Sequence, residues 1–164
     1  MIGRVWDWPD KPMKERGVAR QILRDAKFDL AELHSRRDDP PDCEGLLDGQ
    51  WSAVEVTQLL HEEARALSMK AIESYYQWDR DDVLRKIQEI INVKDGKHYK
   101  GGPYKRFVLV IHTDEFVLDG ARMNQFLAGA TFRSRVFTDV VVGLSYVSGT
   151  YPTFRLSLEK GGAP

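Results

Sequence analysis

The sequence predicts an α/β domain. Three observations carry that expectation. Apolar residues at helical spacing open the chain and recur in its middle. Asp48-Gly49 joins two strand-like segments as a two-residue hairpin. Residues 107–111, FVLVI, form a short apolar run of the kind found in a fully buried strand.

Residues 1–12 hold Trp6, Trp8, Pro9 and Pro12 and read as an irregular arm. Two tryptophans in such an arm are expected to dock on the body or on a second copy, so a homodimer is an open arrangement. Residues 13–26 read as a helix, because Val18, Ala19, Ile22, Leu23 and Ala26 share one face. A first strand is expected at 28–33. Asp38-Asp39-Pro40-Pro41 is a stiff break, since each proline fixes its own φ and biases the residue before it towards extended structure. Strands follow at 42–47 and 50–57.

Residues 61–78 and 80–94 read as two helices. Asp81 and Asp82 stand in the first turn of the second, where the helix dipole favours them. After the strand at 107–111, a helix is expected at 119–128 and strands at 136–144 and 154–158. Residues 160–164 read as a loose tail. The whole of 1–164 reads as a single domain.

The chain is 42% hydrophobic and 30% charged, ordinary values for a globular protein. No apolar run approaches the roughly 18 residues of a membrane span, and the N-terminus has no apolar signal-peptide core. A lone Cys43 makes no internal disulfide, so the expected setting is a reducing cytoplasm. There is no phosphate-binding glycine loop, zinc-ligand spacing or Ser-His-Asp pattern.

Net charge is −1, so no global field attracts nucleic acid. The distribution is more informative. Asp38, Asp39, Asp42, Glu44 and Asp48 crowd one segment, and Lys94, Lys97, Lys100, Lys105 and Arg106 crowd another. Brought together, these would set an acidic pocket beside a basic rim, as a metal-dependent phosphodiesterase requires. The plainer alternative is two unrelated solvated surfaces.

The hairpin sharpens the choice. A two-residue loop at Asp48-Gly49 sets the register, pairing Leu47 with Gln50 and Asp42 with Glu55. The Asp42–Glu55 pair is of the closer, non-hydrogen-bonded kind. Like charges directly opposed destabilise a sheet, and a bound divalent cation would offset the repulsion. The alternative is that both side chains splay into water at a sheet edge. Val54 and Val56 flank Glu55 and argue for a buried strand.

Pro41-Asp42, followed by Glu55-Val56-Thr57 at the end of an apolar strand, resembles the PD-(D/E)xK nuclease superfamily. The resemblance spans about residues 13–113, and its specific part is 40–58. It implies a restriction-endonuclease-like core, a mixed central sheet flanked by helices. It implies a nuclease acting on nucleic acid, DNA rather than RNA, with Mg²⁺ or Mn²⁺ as cofactor. It makes Asp42 and Glu55 the metal-binding carboxylates, adds the backbone carbonyl of Val56, and matches Glu15 to an acidic residue of the first helix. An N-terminal helix Glu is also commonly just solvated.

One departure stands out. The family's lysine, two residues after the second carboxylate, is Thr57 here. Some members place that lysine on a neighbouring element, and Lys94 and Lys97, three apart on one helix face, are the candidates. The other explanation is a catalytically inactive domain that binds nucleic acid or a partner protein. His61, His98 and His112 are weaker candidates, Tyr75, Tyr76 and Trp78 are more in keeping with packing than with base stacking, and Cys43 should face away from Asp42.

Overall fold

The fold is that of a computed structural model, which describes residues 10–60, 77–115, 117–147 and 149–160. The N-terminal tryptophans, most of the helix expected at 61–78, and the tail beyond residue 160 lie outside these residues.

The first helix, α1 (Lys11–Asp25), starts two residues earlier than expected, so Lys11 and Pro12 belong to the helix and not to an arm. The Asp10 carboxylate caps it by accepting from Met13 N–H. Pro12 is tolerated because first-turn N–H groups have no intrahelical partner to lose. Ala19, Ile22 and Leu23 are its buried face.

Three strands follow: β1 (Leu30–Ser35), β2 (Cys43–Leu47) and β3 (Gln50–Gln58). At the β2–β3 turn Asp48 has φ 48° and Gly49 φ 76°. Positive φ at both central residues is what a tight hairpin turn compatible with strand twist needs. The register is the expected one, with Leu47 opposite Gln50 and Cys43 opposite Val54.

Helix α2 (Arg80–Asp95) is capped by Asp79, which accepts from Asp82 N–H, and it buries Val83, Ile87 and Ile91. Strand β4 (Arg106–Thr113) then runs parallel to β3. Helix α3 (Gly120–Leu127) is capped by Asp119. The last strands are β5 (Thr131–Ser134), β6 (Asp139–Leu144), β7 (Thr153–Arg155) and β8 (Ser157–Lys160).

Six strands form one mixed sheet in the order β1-β2-β3-β4-β6-β7. β1, β2 and β3 pair antiparallel, β3, β4 and β6 parallel, and β6 and β7 antiparallel. The protein is therefore α/β, with a mixed six-stranded sheet and, among the described residues, three helices.

Three of the expected strands differ, the first because the strand expected at 28–33 is β1 at Leu30–Ser35. The segment 136–144 is a strand only from Asp139, because Asp95 ties down the preceding turn through Ser134 Oγ and the N–H groups of Arg135 and Val136. The segment 154–158 breaks at Leu156 into β7, which completes the main sheet, and β8. The latter pairs in parallel with β5 in a separate two-stranded sheet. Lys160 ends β8, so it belongs to a strand and not to the loose tail expected at 160–164.

The sheet is covered on both faces. Val54, Val56, Val108, Val110 and Val141 meet α1 with Cys43 and Leu47. Leu109, Ile111, Val140 and Val142 meet α2 and α3. Alternation along each strand sends neighbours to opposite faces, so Glu55 faces α2 while Val54 and Val56 face α1. Gly143 lets α1 come close: a Cβ there would lie 2.5 Å from Ile22 Cδ1. No helix among the described residues is long and apolar enough to cross a membrane.

Candidate metal centre

The site forms where the hairpin opens, at the end away from its turn. Asp42 lies one residue before β2. Its backbone oxygen still accepts from Arg36 N–H at 2.9 Å, so the chain is held by the β1 side as it enters the sheet. Its side-chain Oδ2 accepts from Val56 N–H at 2.8 Å. Within a strand, the N–H and C=O of one residue project from the same edge. The Val56 carbonyl therefore lies on the edge that Asp42 occupies.

Glu55 sits in the middle of the sheet and is 1% exposed. Its Oε1 accepts from Lys94 Nζ at 2.7 Å and from Lys97 Nζ at 3.0 Å. Its Oε2 is buried and, among the described residues, has no hydrogen-bond partner. A buried carboxylate oxygen left unpaired is costly and calls for an explanation. Carboxylate oxygens of Asp39, Asp42 and Glu55 lie within 4.8 Å of one another.

At that separation each ionised pair repels by about 3 kcal/mol at an effective dielectric of roughly 20. Two ammonium groups stand against three carboxylates, so the local excess is negative. Burial, and then the charge of Glu55, push the Asp42 carboxyl up to about 7, against the opposing pull of the Val56 N–H. This donor set fits a hard divalent cation: oxygen ligands only, an excess of negative charge, and one buried oxygen with nothing else to bind.

The lysines come from the end of α2. Lys94 is in its last turn, and Lys97 lies two residues beyond it. Tyr99 Oη donates to the Lys94 carbonyl at 2.8 Å. The Tyr99 ring packs edge-on against Phe107 and Phe137. That anchorage holds the segment over the sheet. Burial is the largest single influence on Lys97 and works against its charge, but its hydrogen bonds to Glu55 and Lys94 and the charges of Glu55 and Asp39 together outweigh it, and the net shift of its pKa is upward.

Glu15 stands beside the cluster and not within it. It pairs with Lys11 at 3.4 Å. Burial raises its pKa, Lys11 opposes this, and Asp39 and Glu55 add to the rise. Thr57 is half-buried two residues after Glu55, on the same strand face.

The acidic and basic segments meet elsewhere too. Arg36 bonds Glu44 at 2.7 Å, and the Tyr104 hydroxyl bonds both. Lys100 N–H donates to Pro40 O at 2.9 Å, and Arg106 bonds Asp48 at 2.7 Å.

Among the described residues, the other sequence candidates do not join the carboxylate cluster. His112 is buried on the α1 face with Nδ1 3.4 Å from Ser145 Oγ, and burial, then Lys14, lower its pKa to about 3. His98 is exposed, and His61, Tyr75 and Tyr76 lie outside the described residues. Trp78 is a core residue. Cys43 is buried among α1-facing side chains, away from the carboxylates, and burial pushes its thiol up to about 12.

Asp39 is the residue that sequence reasoning left as part of a charge run. Its only signal was its place directly before a rigid Pro-Pro step leading to Asp42. No family model, curated protein or solved structure matches the chain.

Proposed function

We propose that the protein is a divalent-metal-dependent phosphodiesterase that hydrolyses nucleic acid, DNA in preference to RNA, on a restriction-endonuclease-like core. One observation carries this reading. Glu55 is fully buried, commits one oxygen to two lysines, and leaves the other unpaired against Asp42 and Asp39. A purely structural ion pair gains nothing from that third partnerless position.

Asp42, Glu55 and the Val56 carbonyl would hold Mg²⁺ or Mn²⁺, with Glu15 beside them. The cation supplies an acidified water and positive charge towards phosphate oxygens. The remaining work falls to the chain itself. Val56 N–H fixes the Asp42 carboxylate, and the buried sheet fixes Glu55. Lys94 and Lys97 keep Glu55 oriented and bring to the pocket the positive charge that Thr57 lacks. A preplaced charge of this kind acts on the negative charge that builds on a phosphate during displacement. Lys100, whose N–H holds Pro40 O beside the cluster, would extend the basic side of the pocket towards a phosphate backbone, whereas Lys105 and Arg106 stand at the turn end of the hairpin, Arg106 paired with Asp48 and Asp139.

Thr57 favours a second reading, a disarmed nuclease scaffold that binds nucleic acid or a protein. Incubation of end-labelled single- and double-stranded DNA and RNA with Mg²⁺ or Mn²⁺ separates the two. Cleavage by the wild type that Glu55→Gln abolishes is the expected result. No cleavage of any substrate by the wild type, with activity appearing in Thr57→Lys, would mean that the scaffold is disarmed.

A further inference from the structure

Asp39 has no assigned role in the metal centre above, yet its position is hard to explain as solvated surface. It is exposed, and no hydrogen bond or ion pair among the described residues restrains its side chain. Lys97 attracts it electrostatically without forming an ion pair, yet Asp39 also keeps an oxygen within 4.8 Å of those of Asp42 and Glu55, whose charges repel it. The independent sign of a missing ligand is Glu55 Oε2, buried, unpaired and part of this same group.

We infer that Asp39 is a direct ligand of the divalent cation, closing the site from the solvent side. This rests on the metal-centre reading and adds a third carboxylate to it, one supplied by a loop and not by the sheet.

The loop is built to present it. At one end Arg36 N–H holds Asp42 O at 2.9 Å, and near the middle Lys100 N–H holds Pro40 O at 2.9 Å. The Arg36 guanidinium is locked by Glu44 and Tyr104. Gly101, at φ 85°, packs against that guanidinium so closely that a Cβ would collide with it. The Asp39 backbone therefore stays in place while its side chain remains free to engage an ion. Of the two inner carboxylates, Glu55 comes from β3 and Asp42 from the residue just before β2, where Arg36 and Val56 N–H groups hold it. Asp39 is the exchangeable one, placed on the side from which a substrate phosphate must enter.

Titration calorimetry of the full chain with Mn²⁺ alone tests this, with water-proton relaxivity of the bound Mn²⁺ as the second readout. Asp39→Asn should weaken the Mn²⁺ Kd by about tenfold or more, the loss that even outer-shell partners cause. Its bound Mn²⁺ should gain a water where the carboxylate was, which raises relaxivity. Asp38→Asn removes an equal charge one residue away and is the control. At ordinary ionic strength it should leave the Kd within about twofold, because exposed charges are largely screened. Asp39 makes no contact that folding depends on, so in EDTA Asp38→Asn should match the wild-type melting temperature and Asp39→Asn, which loses repulsion from Asp42 and Glu55, should fall no lower. Equal losses in Asp39→Asn and Asp38→Asn, or unchanged relaxivity, overturn the inference while leaving the centre at Asp42 and Glu55 intact. Absence of Mn²⁺ binding by the wild type removes both.

Discussion

Asp42→Asn should stabilise the metal-free protein and at the same time abolish its response to metal. Asparagine keeps a carbonyl oxygen to accept from Val56 N–H at the 2.8 Å contact, and it removes the charge that faces Glu55 and Asp39. The folded-state pKa of Asp42 is raised from 3.8 to about 7. A raised carboxyl pKa means that the neutral form is favoured in the fold. Its contribution to stability is full below 3.8 and is lost as pH rises through about 7.

Above pH 7 the ionised side chain is therefore a liability. At full strength the gap between 3.8 and about 7 corresponds to about 4 kcal/mol. Asp42 is partly open to water, and screening cuts this to about 1–2 kcal/mol. For a chain of this size that is a gain of about 3–6 °C in melting temperature at pH 8. The gain should shrink towards pH 5 and vanish below about 3.8.

With Mn²⁺ at 100 times its Kd, the wild type should gain about 2.7 kcal/mol by mass action, and the variant should gain none. Thermal unfolding followed by circular dichroism in EDTA and in Mn²⁺, at pH 5 and pH 8, reads all four corners. A variant that is less stable than the wild type in EDTA at pH 8, or one that keeps the Mn²⁺ shift, refutes the reasoning.

Lys97→Ala and Lys94→Ala should each lower Mn²⁺-dependent cleavage by about 10²-fold and leave Mn²⁺ affinity nearly unchanged, as expected for charges that act on the transition state; calorimetry and cleavage on the same samples separate the two effects. His112 predicts an acid-labile fold. Its pKa is lowered from 6.5 to about 3, so its stabilisation is present above 6.5 and lost as pH falls through that window, by up to about 1.4 kcal/mol per pH unit. Urea unfolding at pH 7 and pH 4.5 should show the loss, and His112→Gln should flatten it. If the wild type cleaves, Thr57→Lys should change the rate by no more than a few-fold, because Lys94 and Lys97 already bring charge to the pocket; a gain of 10²-fold in a rate assay would show that they do not.

The hairpin was readable in advance because Asp48-Gly49 admits little but a tight turn, and the turn dictates the whole β2–β3 ladder. The FVLVI run and the helical faces of α1 and α2 were equally open, since burial on one or both sides leaves a direct hydropathy pattern. β5 and β8 were not. Strands of four residues each carry too little alternation, and their parallel pairing joins Thr131 to Ser157 across a long stretch of chain. The turn before β6 was hidden for a different reason. It depends on Asp95, whose carboxylate looks like any helix-end charge until it meets Ser134.

At the site, Asp42 and Glu55 followed from register alone. The lysines followed only in part: their spacing suggested one helix face, whereas Lys97 lies past the helix end and still reaches Glu55. Asp39 was beyond reach, because its approach depends on how Pro40-Pro41 and Lys100 fold the loop back over the sheet.

The central claim is that Glu55, Asp42 and their neighbours form a divalent-cation centre. Its most direct test is an anomalous difference map from a crystal soaked in Mn²⁺. A peak is expected within about 2.5 Å of Glu55 Oε2, an Asp42 carboxylate oxygen and the Val56 carbonyl, with Lys94 and Lys97 still on Oε1. A map without a peak there at saturating Mn²⁺, or with Mn²⁺ bound only at sites away from Glu55, would contradict it.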